Sequence, residues 1–425
     1  MHKELTETQK VWRVKILTAT WFSYAGFYFC RKNFAIAKSS LMESLQITSS
    51  ELAHIYTAYL VAYMLGQFMM SYLGRKVATR VLLLTGMGIS AFCNITFGFS
   101  YLMGPAGYTP FLLFMVINGF AQASGWPGNV GVLSHWLRRG ERGRIMAVWA
   151  TSYQLGSILA KTFAAFMLGY FGATWSFWGA SAILFGVWIL FFLIEKDTPE
   201  DAGLEAIVQE IEIEVPHHEK SKYSTEWSAQ VLFSIFFMGA VYFVFKFLRY
   251  SLDSWSPMAV EIMFKQTKAN AGYISTLFDW VGFGGVLFAG WLSDKHFLGR
   301  RHQTIFFMTI GMFLTFVLMA FVGVHSLTGF SICLALCGFM LMGPDSLIAG
   351  VGGIDVGGKK MAIVAAGIIN GLGSIGPIFQ EEIIGWIIGK YGFHATFYMM
   401  IGICALGIIG TGYLSIRSRR GHSNL

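Results

Sequence analysis

Residues 16–37 read ILTATWFSYAGFYFCRKNFAIA. The run is long and apolar enough to cross a bilayer as a helix, which takes about 20 residues, yet Arg31 and Lys32 stand in it side by side. Eleven further runs of similar character follow, near 52–72, 80–99, 108–134, 145–170, 174–194, 230–252, 271–292, 303–323, 327–351, 361–388 and 393–416. Twelve continuous runs exclude a membrane β-barrel, whose strands alternate in polarity and are only about ten residues long. The composition agrees. The chain has 425 residues, 55% hydrophobic and 13% charged, against about 25% charged in soluble domains. Many of its 49 glycines fall inside the runs, as expected where membrane helices pack closely.

The net charge of +8 would suit an anionic partner, so the placement of the 31 Lys and Arg decides its meaning. Most lie in the N-terminus, in the loops after spans 2, 4, 6, 8 and 10, and in the C-terminus. Lys38, Lys265, Lys268 and Lys390 are read as lying on the opposite side. The positive-inside rule then places both termini in the cytoplasm, and no nucleic-acid partner is implied. Residues 1–15 are polar and the first apolar run exceeds a signal-peptide core, so no cleavable signal is expected. Cys30, Cys93, Cys333, Cys337 and Cys404 all fall within spans and read as small packing residues, with no disulfide framework and no metal-ligand spacing. No nucleophile–base pair or phosphate-binding loop marks an enzyme, and no cofactor is expected.

The chain repeats itself. Leu155-Gly156-Ser157-Ile158 recurs as Leu372-Gly373-Ser374-Ile375, Pro127 as Pro344 and Arg31 as Arg249, at nearly one offset. A shared offset implies two pseudo-symmetric six-helix halves. We expect an N-terminal half over 1–195, a C-terminal half over 227–425, and between them an acidic cytoplasmic linker over 196–226, where His217 and His218 read as surface polarity. Two such halves with a site between them near the bilayer midplane are the layout of an alternating-access carrier.

Five cations remain inside spans: Arg31, Lys32, Lys161, Lys246 and Arg249. A buried charge costs about 2.5–3.5 kcal/mol even on the mildest insertion scales, so each needs a partner, a wet cavity or a substrate. Residues at i, i+4 and i+7 share a helix face. Span 1 places Tyr24, Tyr28 and Arg31 on such a face, and span 7 places Tyr242, Lys246, Arg249 and Asp253 on another. Span 2 adds Tyr56, Tyr59, Tyr63 and Gln67, span 4 adds Asn118, Gln122 and Asn129, and span 11 adds Asn370, Ser374 and Glu381. These faces point to one interior cavity. Arginines contributed by both halves suit a dianion, because the planar guanidinium pairs bidentately with phosphate or carboxylate oxygens.

Taken together, these residues resemble the organophosphate:phosphate antiporters of the major facilitator superfamily, over almost the whole chain. The motifs are Tyr28-Phe29-Cys30-Arg31-Lys32-Asn33-Phe34, Gly125-Trp126-Pro127, Glu141-Arg142-Gly143, Asp197-Thr198-Pro199 with Gly203-Leu204, Leu248-Arg249-Tyr250 with Trp255-Ser256-Pro257, Gly290-Trp291-Leu292-Ser293-Asp294-Lys295, and Gly343-Pro344 with Lys359-Lys360. The resemblance implies a monomeric carrier in a bacterial inner membrane that exchanges inorganic phosphate for a phosphate ester. It implies that Arg31 and Arg249 bind the phosphoryl group, that Lys32 and Asp279 form an ion pair between the halves with Asp253 beside them, and that Tyr24, Tyr28 and Tyr63 line the pocket.

Departures from the family pattern bear on the substrate. Gln67 stands where bacterial members place a lysine, and Tyr153 where glycerol-phosphate carriers place a histidine. Gly66-Gln67-Phe68 and the set Arg31, Lys32, Lys38 and Ser39 are closer to the sugar-phosphate exchangers, which usually lack an arginine at position 249. Lys161, Lys246 and Asp345 are additions: Lys246 is expected to replace charge absent at Gln67, and Lys161 to pair with Asp345. In the first copy of the superfamily's loop motif, Ser71 and Arg75 replace the glycine and aspartate, so a weaker cytoplasmic latch is expected there. Two other readings remain open: a proton-coupled organic-anion symporter using Asp345, Glu381 or Glu382, and a membrane sensor of phosphate esters.

Overall fold

A computed structural model describes residues 5–74, 76–207, 229–297 and 301–419. Side chains of a few further residues, chiefly 350–364, are not described. Within the described residues the chain forms fourteen α-helices: α1 (Glu7–Leu45), α2 (Ser49–Leu73), α3 (Thr79–Leu102), α4 (Tyr108–Gln122), α5 (Gly125–Trp136), α6 (Arg139–Trp149), α7 (Thr151–Phe171), α8 (Ala173–Ile194), α9 (Ala229–Phe264), α10 (Lys268–Ser275), α11 (Leu277–Lys295), α12 (Arg301–Phe321), α13 (Leu327–Tyr391) and α14 (Phe393–Arg419).

These helices make twelve crossings. Spans 4, 5 and 8 are each broken into two helices, α4–α5, α6–α7 and α10–α11. The first break falls where Gly125-Trp126-Pro127 follows Ala123 and Ser124, and proline lacks the N–H that a continuous helix would use. Conversely, α13 holds spans 10 and 11 together. Its 65 residues would extend about 98 Å at the helical rise, some three bilayer cores. Phe330 near its start packs edge-on against Phe397 beyond its end, so both ends lie at one membrane face and the chain crosses twice. Seven helices or helix pairs are each long and apolar enough to span a bilayer. The chain is an integral membrane protein.

The repeat is visible in packing. A side chain at Gly156 of α7 would meet Ala25 Cα of α1 at 2.9 Å, and one at Gly373 of α13 would meet Tyr242 of α9 at 2.5 Å. The duplicated Leu-Gly-Ser-Ile thus does one job twice, bringing span 5 onto span 1 and span 11 onto span 7. The serines that follow both turn toward the interior polar groups: Ser157 donates to Asp279 Oδ1 at 3.2 Å, and Ser374 accepts from Lys246 Nζ at 2.9 Å.

At the cytoplasmic end of the first half, Arg80 donates to the carbonyls of Phe192 and Glu195. These are the unsatisfied carbonyls at the end of α8, where a cation also meets the negative pole of the helix. The Arg80 backbone N–H donates to Asp197 at 2.8 Å. Leu204 and Ile207 at the start of the linker pack on the same apolar cluster as Leu5 and Trp12. Positions 208–228, with His217 and His218, lie outside the described residues, as do Arg75 and the side chains of Ser71, Lys359 and Lys360.

Candidate binding site between the two halves

Arg31 lies mid-span on α1. Its guanidinium donates to Gln122 Oε1 through Nε at 3.3 Å and Nη2 at 3.1 Å. The Gln122 amide is oriented by its other end, where Nε2 donates to Phe27 O at 3.0 Å and Ser90 Oγ at 2.7 Å. The rings of Tyr28 and Tyr63 lie 5.1 and 4.7 Å from the guanidinium carbon, within cation–π range. All these partners are neutral. Among the described residues Arg31 has no ion pair.

Arg249 on α9 differs: Nη1 donates to Asp345 Oδ2 of α13 at 2.7 Å. One turn earlier, Lys246 donates to Asn370 Oδ1 at 2.8 Å and Ser374 Oγ at 2.9 Å, partners that are again neutral. Tyr28 and Tyr250 each lie within electrostatic reach of both Arg31 and Arg249. Tyr153 neighbours the Arg249–Asp345 pair. Gln67 is half-buried one turn from Tyr63 on α2.

The polar faces foreseen on the other spans divide into two kinds. Tyr24, Tyr28, Tyr63, Lys246 and Asn370 gather near the two arginines or stack on those that do: Tyr24 packs on Tyr28 at 5.6 Å and on Trp149 at 5.6 Å. Asn118, Gln122 and Asn129 are buried within the first half. Asn118 and Asn94 both donate to the Cys30 carbonyl at 3.2 Å, fixing α1 just before Arg31. Asn118 and Asn129 hold the arginine's helix, while Gln122 holds the guanidinium itself.

The ion pairs depart from expectation. Lys32 pairs with Asp253 of α9, not with Asp279. Lys161, not Lys32, reaches Asp279, at 2.7 Å, and it also reaches Asp253 at 2.6 Å. Two lysines of the first half and two aspartates of the second therefore form one neutral network. Lys161 does not pair with Asp345, which belongs to Arg249. Asp279 sits in the first turn of α11, created by the break at Thr276, where a helix N-terminus favours an anion.

Lys38 is read from the sequence as lying outside the membrane, and the structure differs. Lys38 is fully buried on α1 and pairs with the fully buried Glu381 of α13, which also accepts from Trp255 Nε1 at 2.9 Å. The sequence carried the signal: Lys38 follows Arg31 by seven residues, so both share one face. This pair also accounts for Glu381 without a proton relay. Further out, Lys268 pairs with Glu43, His54 with Glu382 at 2.8 Å, and Ser49 Oγ donates to Gly385 O at 2.7 Å. The two halves are thus tied from mid-membrane to their outer ends. A hollow between α3 and α8, lined by Phe92, Phe99, Trp178 and Trp188, is apolar and lies apart from these cations.

Among solved structures, the chain resembles a D-xylose–proton symporter with a TM-score of 0.73 at 12% identity, covering 94% of this chain and 96% of that one. It resembles a bacterial homologue of the lysosomal transporter Spinster equally, with a TM-score of 0.73 at 11% identity, covering 95% and 97%. Closer in sequence are a glycerol-3-phosphate transporter of Bacillus subtilis, 29% identical over 93% of this chain and 91% of the relative, and a probable hexose phosphate transport protein of Chlamydia muridarum, 28% identical over 99% and 96%. A glucose-6-phosphate exchanger of Xenopus laevis is 29% identical over 86% and 81%. These relatives bear the names of the type that the motifs resemble. The family model described as Major Facilitator Superfamily matches residues 20–380, and with twelve crossings and a cationic site between two halves, this chain belongs to that superfamily.

Proposed function

We propose that this chain is a secondary transporter that exchanges a sugar phosphate or glycerol phosphate for inorganic phosphate by alternating access, with Arg31 and Arg249 binding the phosphoryl group. The observation that carries the reading is that Arg31, mid-span and half-buried, is held among the described residues by a glutamine and two tyrosine rings and by no acid. A guanidinium partly withdrawn from water without a counter-ion is costly, and a phosphoryl dianion entering from the cavity supplies the missing charge with matching fork geometry. Lys246 adds a second cation held by neutral groups, in keeping with the loss of a lysine at Gln67. The names of the relatives support the same substrate class.

The coupling follows from charge. With the site empty, the cations of the two halves repel; a bound dianion lets the halves close over it. Phosphate and a phosphate ester share that dianion, and each shifts the equilibrium by its differential affinity for the closed form. The Lys32–Asp253–Lys161–Asp279 network and the Lys38–Glu381 pair must then separate on outward opening.

The test is counterflow of labelled phosphate in liposomes containing the purified protein, with unlabelled phosphate, glycerol 3-phosphate and glucose 6-phosphate inside, without a pH gradient. Exchange is expected, and Arg31→Lys should weaken phosphate binding at least tenfold, since the charge survives but the bidentate fork is lost. Transport that requires a proton gradient and ignores internal phosphate would sink the reading.

A further inference from the structure

We propose that Asp345 is the residue that selects phosphate esters with a hydroxylated organic part, by accepting a hydrogen bond from one of their hydroxyls. The inference rests on the exchange reading above and deepens it.

Three cations stand at the candidate site; among the described residues only Arg249 donates directly to an acid, which Lys246 feels at longer range. Asp345 Oδ2 accepts from Arg249 Nη1 at 2.7 Å, while Arg31 and Lys246 are held by amide, hydroxyl and aromatic groups. Asp345 is 4% exposed, and its second oxygen, Oδ1, has no hydrogen-bond partner among the described residues. A buried carboxylate oxygen left bare is expensive, and its lone pairs accept only from a donor.

The phosphoryl dianion of an ester has no O–H to donate and is repelled by the carboxylate, whereas inorganic phosphate, as the hydrogen phosphate dianion, keeps one P–OH. The ester's phosphoryl group therefore settles toward Arg31, Lys246 and the remaining donors of Arg249. The group that can approach Asp345 is the part of the substrate next to the phosphoryl group. In glycerol phosphate or a sugar phosphate that part carries hydroxyls, which donate well to a carboxylate. Arg249 thus joins two subsites, its free N–H groups toward the phosphoryl oxygens and its Asp345 partner toward the polyol. A simple ester without hydroxyls, such as methyl phosphate, uses the first subsite alone. A site that hydrogen-bonds a substrate hydroxyl discriminates strongly against an analogue lacking it, because its own buried group is then left unpaired.

The test uses inhibition of labelled phosphate uptake into phosphate-loaded liposomes by phosphate, methyl phosphate, glycerol 3-phosphate and glucose 6-phosphate. In the wild type, one or both hydroxylated esters should compete at least tenfold better than methyl phosphate, which keeps the ester and lacks the hydroxyls. In Asp345→Asn that advantage, taken as the ratio of each hydroxylated ester's inhibition to that of methyl phosphate, should shrink tenfold or more, whatever change all the ligands share. A monodisperse size-exclusion peak in detergent reports that the variant is folded. The inference is overturned if methyl phosphate matches both polyol esters in the wild type, a result that needs no variant, or if Asp345→Asn weakens all four ligands alike. Wild-type protein that exchanges phosphate with no ester at all is a different outcome, and it overturns the exchange reading together with the inference.

Discussion

Single residues gave up their chemistry in the sequence and withheld their partners. That Arg31, Arg249, Lys246 and Lys161 are special follows from their placement in apolar runs. Which acid each meets depends on how distant helices are rotated against one another, and a rotation of one residue exchanges Asp253, Asp279 and Asp345 as candidates. Lys161 shows this: it and Asp345 stand out together as additions to the family pattern and are expected to pair, while packing gives Asp253 and Asp279. Glu195, just past α8, was missed because a glutamate at a span end reads as solvated. It is buried, and burial, then the nearby Asp197 carboxylate, push its acid up to about 8 despite Arg80. At neutral pH the protonated form is therefore favoured, although Arg80 Nε lies 3.9 Å from Glu195 Oε2. Between its ordinary value of 4.5 and about 8 the folded protein keeps a proton that the unfolded chain has released, so stability falls as pH rises through that window. Glu195→Gln removes this dependence. Its melting temperature should exceed the wild type's by about 2 °C at pH 8, with the gap closing toward pH 4.5; an equal gap at both pH values contradicts the assignment.

Elements were more legible than residue partners. The twelve crossings and the repeat follow from run length and a common offset, because hydrophobic thickness and helix packing act on whole stretches. The breaks at Ala123, Ala150 and Thr276 were not foreseen, since only the first has a proline nearby to mark it. The repeated glycines yield a prediction at this scale. At Gly156 an added Cβ would lie 2.9 Å from backbone Ala25 Cα and 3.2 Å from its Cβ; backbone cannot give way as a flexible side chain can. Gly156→Ala should lower the melting temperature in detergent by several degrees, through overpacking of about 1–3 kcal/mol. Gly402→Ala, with nothing within 4 Å of the added atom, should be neutral or slightly stabilising, as alanine favours helix. Equal effects at the two positions would show that span 5 does not need its close approach to span 1.

On the scale of the whole molecule, the described links between the halves run from Lys32–Asp253 at mid-membrane outward through Lys38–Glu381 to Ser49–Gly385 and His54–Glu382. With both termini cytoplasmic, the structure is closed toward the outside. A carrier that alternates must break this seal once per cycle. No single link is strong on the surface side, where His54 and Glu382 remain partly exposed and an exposed pair contributes at most about 1 kcal/mol; the buried pairs are the ones whose separation must be offset by substrate binding. A covalent link at the rim is therefore the sharpest probe. A Cβ on Gly389 would lie 2.9 Å from Ser49 Oγ, a spacing compatible with a disulfide between the two positions. All five native cysteines are buried and unpaired, so background oxidation should be slight. The double variant Ser49→Cys, Gly389→Cys should exchange phosphate when reduced, lose exchange on mild oxidation and regain it with a reductant. Each single variant should be indifferent to oxidant. Full exchange by the oxidised double variant, with the disulfide verified by mass spectrometry, would mean that the outer ends of α2 and α13 stay together through the cycle, and that the outer closure seen here is not the one that opens.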